Sequence, residues 1–285
     1  MNRRKIAIAI PSAVISDTPH LREKTSKIGL IGRAAAVFRV DEIIVYPETS
    51  EKSKQKNEAD LICLLLSYLE TPQYLRKRLF KIDPRLQYAG ILPPLRTPNH
   101  PLNRKSKKLR VGEYREGVAI SMTKEGTLVD IGVEHPALLR ENQWALGKRL
   151  SLQIISTDER IEVQVVNKHD IPNYWGYEIK LEKSSFGKLV KNGSFDLIIA
   201  TSKIGIKFMQ IKEKIGERWP KADYKLVAFG APSRGLHEIV EDEGLSLNDV
   251  ADFVVNLVPE QGTITVRTEE ALLASLAILN VQFGW

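Results

Sequence analysis

A chain of 285 residues, 43% hydrophobic and 27% charged, has the proportions of a folded soluble protein and can bury a sizeable core, and no apolar run approaches the ~18 residues of a membrane span. A single cysteine, Cys63, excludes an internal disulfide and a cysteine-cluster metal site, and suits a reducing compartment such as the cytoplasm. The net charge of +7 favours an anionic partner, nucleic acid among the candidates.

The basic start runs straight into Ile6-Ala7-Ile8-Ala9-Ile10, closed by Pro11. That run is too short for a signal segment and reads as a first core strand. Asp17-Thr18-Pro19 is a helix-start signal, and Ile28, Ile31, Ala35 and Phe38 keep helical spacing to about Arg39. Glu42 to Tyr46 is a second strand, Asn57 to Leu69 a helix, and Pro72 opens a short helix through Leu79. This βαβα order implies a parallel sheet covered by helices.

Four prolines between Pro93 and Pro101 mark a linker. Beyond it the signals become short strands: Gly117 to Ser121, Thr127 to Ile131, Arg149 to Ile155, Ile161 to Val166 and Tyr177 to Leu181, with turns at Glu125-Gly126 and Thr157-Asp158. Their number and spacing suggest a small barrel of the oligonucleotide-binding kind. After Leu181 the α/β pattern returns, with strands at Phe195 to Ala200, Tyr224 to Phe229 and Asp252 to Leu257. Helices follow at Lys207 to Gly216, Gly235 to Asp242 and Thr268 to Val281. The expected organisation is an α/β domain built from residues 1–97 and 183–285, interrupted by a β-barrel over 98–182.

Several chemistries lack their signatures. No G-x-G-x-x-G follows a strand, no P-loop is present, and the five histidines are dispersed, so a metal site is not expected. A basic run, Arg104, Lys105, Lys107, Lys108, Arg110 and Arg115, is opposed only by Glu113. It is either a solvated linker or a phosphate-contacting arm. On the first helix Arg33 lies off the apolar stripe, with Gly29 and Ala36 on its own face. It is either an ordinary surface arginine or a cation with room beside it for a ligand. At Phe229-Gly230-Ala231-Pro232-Ser233-Arg234-Gly235 a strand gives way to a helix through glycines that permit close backbone approach. From Asn256 to Thr268 a strand passes through a polar loop into an apolar helix, where open α/β sheets place ligands. Thr268 reads as that helix's cap, and Glu269 and Glu270 as complements of its positive end or as reacting groups.

In order, these segments resemble the three signature motifs of SPOUT (α/β-knot) RNA methyltransferases. The similarity is closest to an archaeal and eukaryotic uridine-N3 RNA methyltransferase branch with an inserted β-barrel. The stretches that carry it are Tyr68 to Lys77, Tyr88 to Leu95, Tyr114 to Val118 and Asn256 to Ala271. The resemblance implies a trefoil-knotted parallel sheet, a homodimer, S-adenosylmethionine as methyl donor, and RNA, most simply ribosomal RNA, as acceptor. It places Thr201, Phe229, Gly230, Gly235, Asn256, Val258, Gln261, Gly262 and Thr263 at the cofactor and Arg33 at the reaction, where Arg267 and Glu269 are further candidates from around the start of the last helix. Ribose-methylating relatives carry a serine–leucine–asparagine run where this chain has Thr265-Val266-Arg267. That departure favours a base nitrogen such as uridine N3 over the ribose 2′-oxygen. A cation from Arg33 or Arg267 would favour the deprotonated base. A non-catalytic RNA-binding or assembly factor that keeps the fold is the alternative of a different class.

Overall fold

The computed structural model describes residues 4–48, 52–140 and 144–284. Its chain divides into two compact units. One is built from residues up to Ser67, Gln87–Pro93 and the chain from Tyr177 onward, and the other from Tyr68–Leu86 and Pro94–Gly176.

In the first unit, β1 (Lys5–Pro11) is buried from Ile6 onward, the pattern of a strand covered on both faces. It pairs in parallel with β2 (Glu42–Tyr46) on one side and β10 (Tyr224–Ala228) on the other, so that Ile8 stands opposite both Ile43 and Val227. Adding β8 (Glu178–Leu181), β9 (Leu197–Lys207) and β11 (Phe253–Asn256) gives a six-stranded parallel sheet of order β11-β9-β10-β1-β2-β8. Ala7 and Ala9 contribute to one apolar cluster with Ile44, Tyr46, Leu226 and Ala228. Side chains from α4 (Phe186–Asn192), α6 (Leu236–Glu241) and α7 (Leu247–Val250) close it. Ile6, Ile8 and Ile10, of opposite parity along the strand, are buried as well.

Helix α1 (Leu21–Val37) packs against α8 (Thr268–Phe283). The expected start signal of α1 behaves differently. The N-cap is His20, without a side-chain capping bond, and Asp17 instead accepts from Lys27 Nζ at 2.8 and 3.0 Å. The room expected beside Arg33 is partly filled by the chain itself: a Cβ on Gly29 would come within 2.9 Å of the Pro93 ring. Helix α2 (Lys52–Glu70) follows β2, and α5 (Phe208–Arg218) follows β9.

In the second unit, β3 (Tyr114–Thr123), β4 (Gly126–Asp130), β5 (Ala137–Leu139), β6 (Arg149–Ser156) and β7 (Glu162–Val165) close a barrel of order β3-β4-β5-β7-β6. One assignment from sequence is corrected here. Of the stretch Tyr177 to Leu181, expected in the barrel, Glu178–Leu181 is the outer strand β8 of the parallel sheet, and three-residue β5 takes its place. The sequence Glu178-Ile179-Lys180-Leu181 alternates polar and apolar as a barrel strand does, so pattern alone does not separate them. The barrel is filled by Val129, Leu139, Leu150, Leu152, Ile154 and Val163. Arg149 bridges Glu70 (2.6 Å) and Glu116 (2.5 Å), and Tyr74 of α3 (Gln73–Leu79) donates to the Glu116 carbonyl at 2.9 Å. No helix among the described residues is long and apolar enough to cross a membrane.

Candidate cofactor site and basic surface

Strands β9 and β11 pair at Val254 opposite Ala200 and resume at Val255 opposite Ile206. Within β9, the chain from Thr201 to Gly205 therefore bulges out of its pairing with β11. Gly205 makes this possible, since a Cβ there would stand 2.8 Å from the Val254 carbonyl oxygen. The excursion forms one wall of a cavity of about 260 Å³. The loop after β10 forms the second wall, the segment after β11 the third, and the start of α8 closes it. It thus lies at the carboxyl ends of parallel strands, where α/β sheets bind ligands.

Hydrogen bonds fix the walls. Thr201 Oγ1 donates to the Ala228 carbonyl at 2.9 Å, and the buried Tyr46 hydroxyl donates to the Phe229 carbonyl at 2.7 Å. Burial, then the neighbouring carboxyls of Glu48 and Glu243, hold the Tyr46 phenol well above its ordinary pKa, so it remains a donor. Ala231 N–H closes the turn onto the Arg234 carbonyl at 2.8 Å. Gly230 is needed inside this turn because a Cβ would meet the Arg234 oxygen, the Gly235 Cα and the Leu236 nitrogen, each at 3.0 Å. Asn256 donates to the Lys203 carbonyl at 2.8 Å and accepts from Val258 N–H at 3.1 Å. Gln261 donates to the carbonyls of Thr263 and Ile264 at 2.9 and 3.0 Å.

Thr201, Phe229, Gly230, Gly235, Asn256, Val258 and Gln261 all line this one cavity. Gly262 and Thr263 belong to the same loop but are exposed and off the wall. Sequence reading missed the excursion Ser202–Ile204, His237, and the small face of α8 formed by Ala271 and Ser275. A signal for the last existed: Thr268, Ala271 and Ser275 follow helical spacing, and Ser275 is a buried polar residue in an apolar helix. His237 Nε2 is buried without a hydrogen-bond partner among the described residues.

The three residues assigned to the reaction do not line the cavity. Arg33 is half-buried on α1. Arg267 is exposed and is the N-cap of α8, its N–H bound to Glu270 Oε2 at 3.0 Å. The capping expectation for Thr268 is thereby corrected: Thr268 is the first helical residue, and its hydroxyl reaches the Gly230 carbonyl. Glu269 approaches Lys27 of α1 at 3.5 Å, both nearly buried.

On the second unit, Asn103, Lys107, Lys108, Leu109, Arg110 and Glu113 surround a shallow concavity, with Arg104 and Lys105 exposed in the same run. Arg115 does not belong to this surface. It is fully buried, paired with Glu113 at 2.9 Å and donating to the Asn103 carbonyl, so it has no face for a phosphate.

A family model described as "Putative RNA methyltransferase" matches residues 5–279. An uncharacterized protein of Halobacterium salinarum is 31% identical, the match covering 96% of this chain and 98% of that protein. The protein named 28S rRNA (uridine-N(3))-methyltransferase in Drosophila melanogaster is 30% identical over 98% of this chain, which spans 62% of the fly protein. The human protein of the same name is 30% identical over 96% of this chain and 77% of its own length.

Proposed function

The chain belongs to this RNA methyltransferase family, and from that premise we propose that it transfers the methyl group of S-adenosylmethionine to a base nitrogen of ribosomal RNA, uridine N3. The observation that carries the cofactor assignment is the cavity at the carboxyl ends of β9, β10 and β11. Its walls are loops rich in backbone donors and acceptors, and His237 offers it a buried ring nitrogen without a partner among the described residues. These residues suit a ligand with an adenosine and an amino-acid end. When bound, the cofactor supplies an already electrophilic methyl group. The protein's residues then hold, orient and exclude water. The loop after β10 and the segment Asn256 to Gln261 hold the adenosine and methionine portions, with Gly262 and Thr263 beside them.

The uridine-N3 assignment is supported by the names of the fly and human relatives. It also agrees with Thr265-Val266-Arg267 standing where ribose-methylating relatives carry another run. We assign Arg33 or Arg267 to the charge of the reacting base, and Arg104, Lys105, Lys107, Lys108 and Arg110 to RNA phosphates. The barrel presents the RNA, and a target in a loop or bulge is splayed out. The enzyme acts as a homodimer in the cytoplasm. Exposed Leu30 and Val37 on α1 and Leu273 on α8 offer apolar surface for the second copy.

The test is incubation with isotopically methyl-labelled S-adenosylmethionine and in vitro transcribed large-subunit ribosomal RNA, followed by nuclease digestion and mass spectrometry. Label in 3-methyluridine is the expected result. Label in a 2′-O-methylated nucleoside would replace the base assignment with the ribose one.

A further inference from the structure

Glu48, two residues past the end of β2, is 5% exposed, and its Oε1 accepts no hydrogen bond among the described residues. Burying a carboxyl without satisfying it disfavours folding. Such groups are retained preferentially where they do chemistry. Glu48 does not line the cavity, but its charge is felt by Arg234, which does. On β2, just before Glu48, Tyr46 donates to the Phe229 carbonyl in the cavity wall. From the loop after β10, Arg234 is the cation acting on it; Arg234 lines the cavity and is held by Asp242 at 2.7 Å and by the Glu238 carbonyl at 3.1 Å. From α2 its charged neighbour is Glu58, which pairs with Lys24 of α1 at 3.4 Å.

Resting on the uridine-N3 reading above, we infer that Glu48 takes the N3 proton of the acceptor uracil. Neutral N3 carries a hydrogen, and its lone pair is delocalised into two carbonyls, so it is a poor nucleophile until the proton leaves. The N3–H bond breaks, and the proton passes to the Glu48 carboxylate. The electron pair left on N3 forms the bond to the methyl carbon, while the methyl–sulfur bond breaks with its pair remaining on sulfur. The positive charge on sulfur is neutralised, and Glu48 returns its proton to water. Burial pushes the Glu48 carboxyl up, Arg234 opposes this and Glu58 adds to it, for a pKa of about 7. A base poised there is well matched to proton transfer at neutral pH.

The test is single-turnover transfer to the same ribosomal transcript made with uridine or with 5-fluorouridine, whose N3 proton is more acidic. Glu48→Gln is expected to slow transfer to the uridine transcript roughly a hundredfold or more at pH 7. The inflexion of rate near pH 7 should vanish, and much of the loss should be recovered on the 5-fluorouridine transcript. Calorimetric affinity for S-adenosylmethionine should persist. Glu48→Asp, which keeps a carboxyl one methylene short, should be slower than wild type but retain an inflexion, and it serves if the glutamine variant does not fold. Equal slowing on both transcripts, or an inflexion that survives in Glu48→Gln, overturns the assignment to Glu48 alone. A wild-type product other than 3-methyluridine overturns the uridine-N3 reading, and this inference with it.

Discussion

The hydroxyl of Thr268 donates to the carbonyl oxygen of Gly230 at 3.1 Å, joining the first turn of α8 to the loop after β10 across 38 residues. Thr268 is 5% exposed, so the bond is shielded from water. Both residues line the cavity, and this bond sets the spacing of two of its walls. Thr268→Val keeps the shape and leaves that carbonyl without this donor, at a cost of about 1–3 kcal/mol. The melting temperature should fall and S-adenosylmethionine should bind more weakly, while Thr268→Ser should retain most of both. Calorimetry and thermal melts check this, and unchanged affinity in the valine variant would detach the bond from the cofactor site.

The central strands were legible because their apolar runs have few competing readings: Ile6 to Ile10 and Glu42 to Tyr46 pair where a parallel sheet needs them. Three-residue β5 is too short to leave a pattern, and outer strand β8 imitates a barrel strand. The wall residues after β10 and β11 were readable from glycines and loop polarity. The excursion Thr201–Gly205 was not, because it is defined by a shift of register against β11, a strand distant in sequence, and leaves no mark in the local pattern. A basic run does not reveal which side chain a barrel swallows, and Arg115 is the swallowed one. Glu48, a lone acid after Pro47, carries no periodicity at all.

Gly262 separates cofactor binding from folding. A Cβ built there meets nothing within 4 Å, so a side chain disturbs no neighbour in the chain itself. Gly262 is off the cavity wall, and the proposed complex has the cofactor reach past the wall to this loop, so that the same space lies against it. Gly262→Val should therefore abolish S-adenosylmethionine binding with an unchanged melting temperature. Calorimetry showing wild-type affinity would remove this loop from the cofactor site.

The basic surface is assigned to RNA alone. Lys105, Lys107 and Lys108 are exposed, and none of them lines the cofactor cavity. Replacing all three with Ala removes at most three phosphate contacts, and the salt dependence of RNA binding should flatten by about one counterion unit for each. Affinity for S-adenosylmethionine should not move. Identical RNA affinities of wild type and variant across a salt series would return the run to a solvated surface.

Glu48 also predicts a dependence of stability on pH. Its carboxyl rises from 4.5 to about 7 on folding. The folded state is therefore favoured by the neutral form, fully below pH 4.5, and loses that advantage as pH rises through 7. Glu48→Gln is neutral at every pH. Relative to wild type it should be more stable at pH 8 than at pH 5, by on the order of 2 kcal/mol, since a tenfold difference in proton affinity between the folded and unfolded chain corresponds to about 1.4 kcal/mol. Urea denaturation at the two pH values measures this. A variant whose relative stability is the same at both would show that the buried carboxyl does not titrate as stated. A more stable but slower enzyme is the exchange expected of a residue kept for chemistry.

Arg33 is expected to act on the reaction more than on binding. It sits on α1, half-buried, and is absent from the cavity wall, so the cofactor does not depend on it for a contact there. The same helix packs against α8, whose first residues border the cavity, and Lys27 meets Glu269 at that junction. In the proposed complex a guanidinium on this helix would steady a deprotonated base or a backbone phosphate. Removing one fixed donor to a developing anion typically costs ~2.7–4 kcal/mol. Arg33→Ala should lower single-turnover transfer roughly a hundredfold or more, with cofactor affinity and melting temperature little changed. Arg33→Lys should recover only part of the rate, because a point charge does not reproduce the planar fork. The measurement is transfer to ribosomal RNA at saturating S-adenosylmethionine. A wild-type rate in Arg33→Ala would shift the role to Arg267, which is exposed at the start of α8. A variant that loses its fold would make Arg33 a structural residue, and Arg267→Ala would then be the decisive substitution.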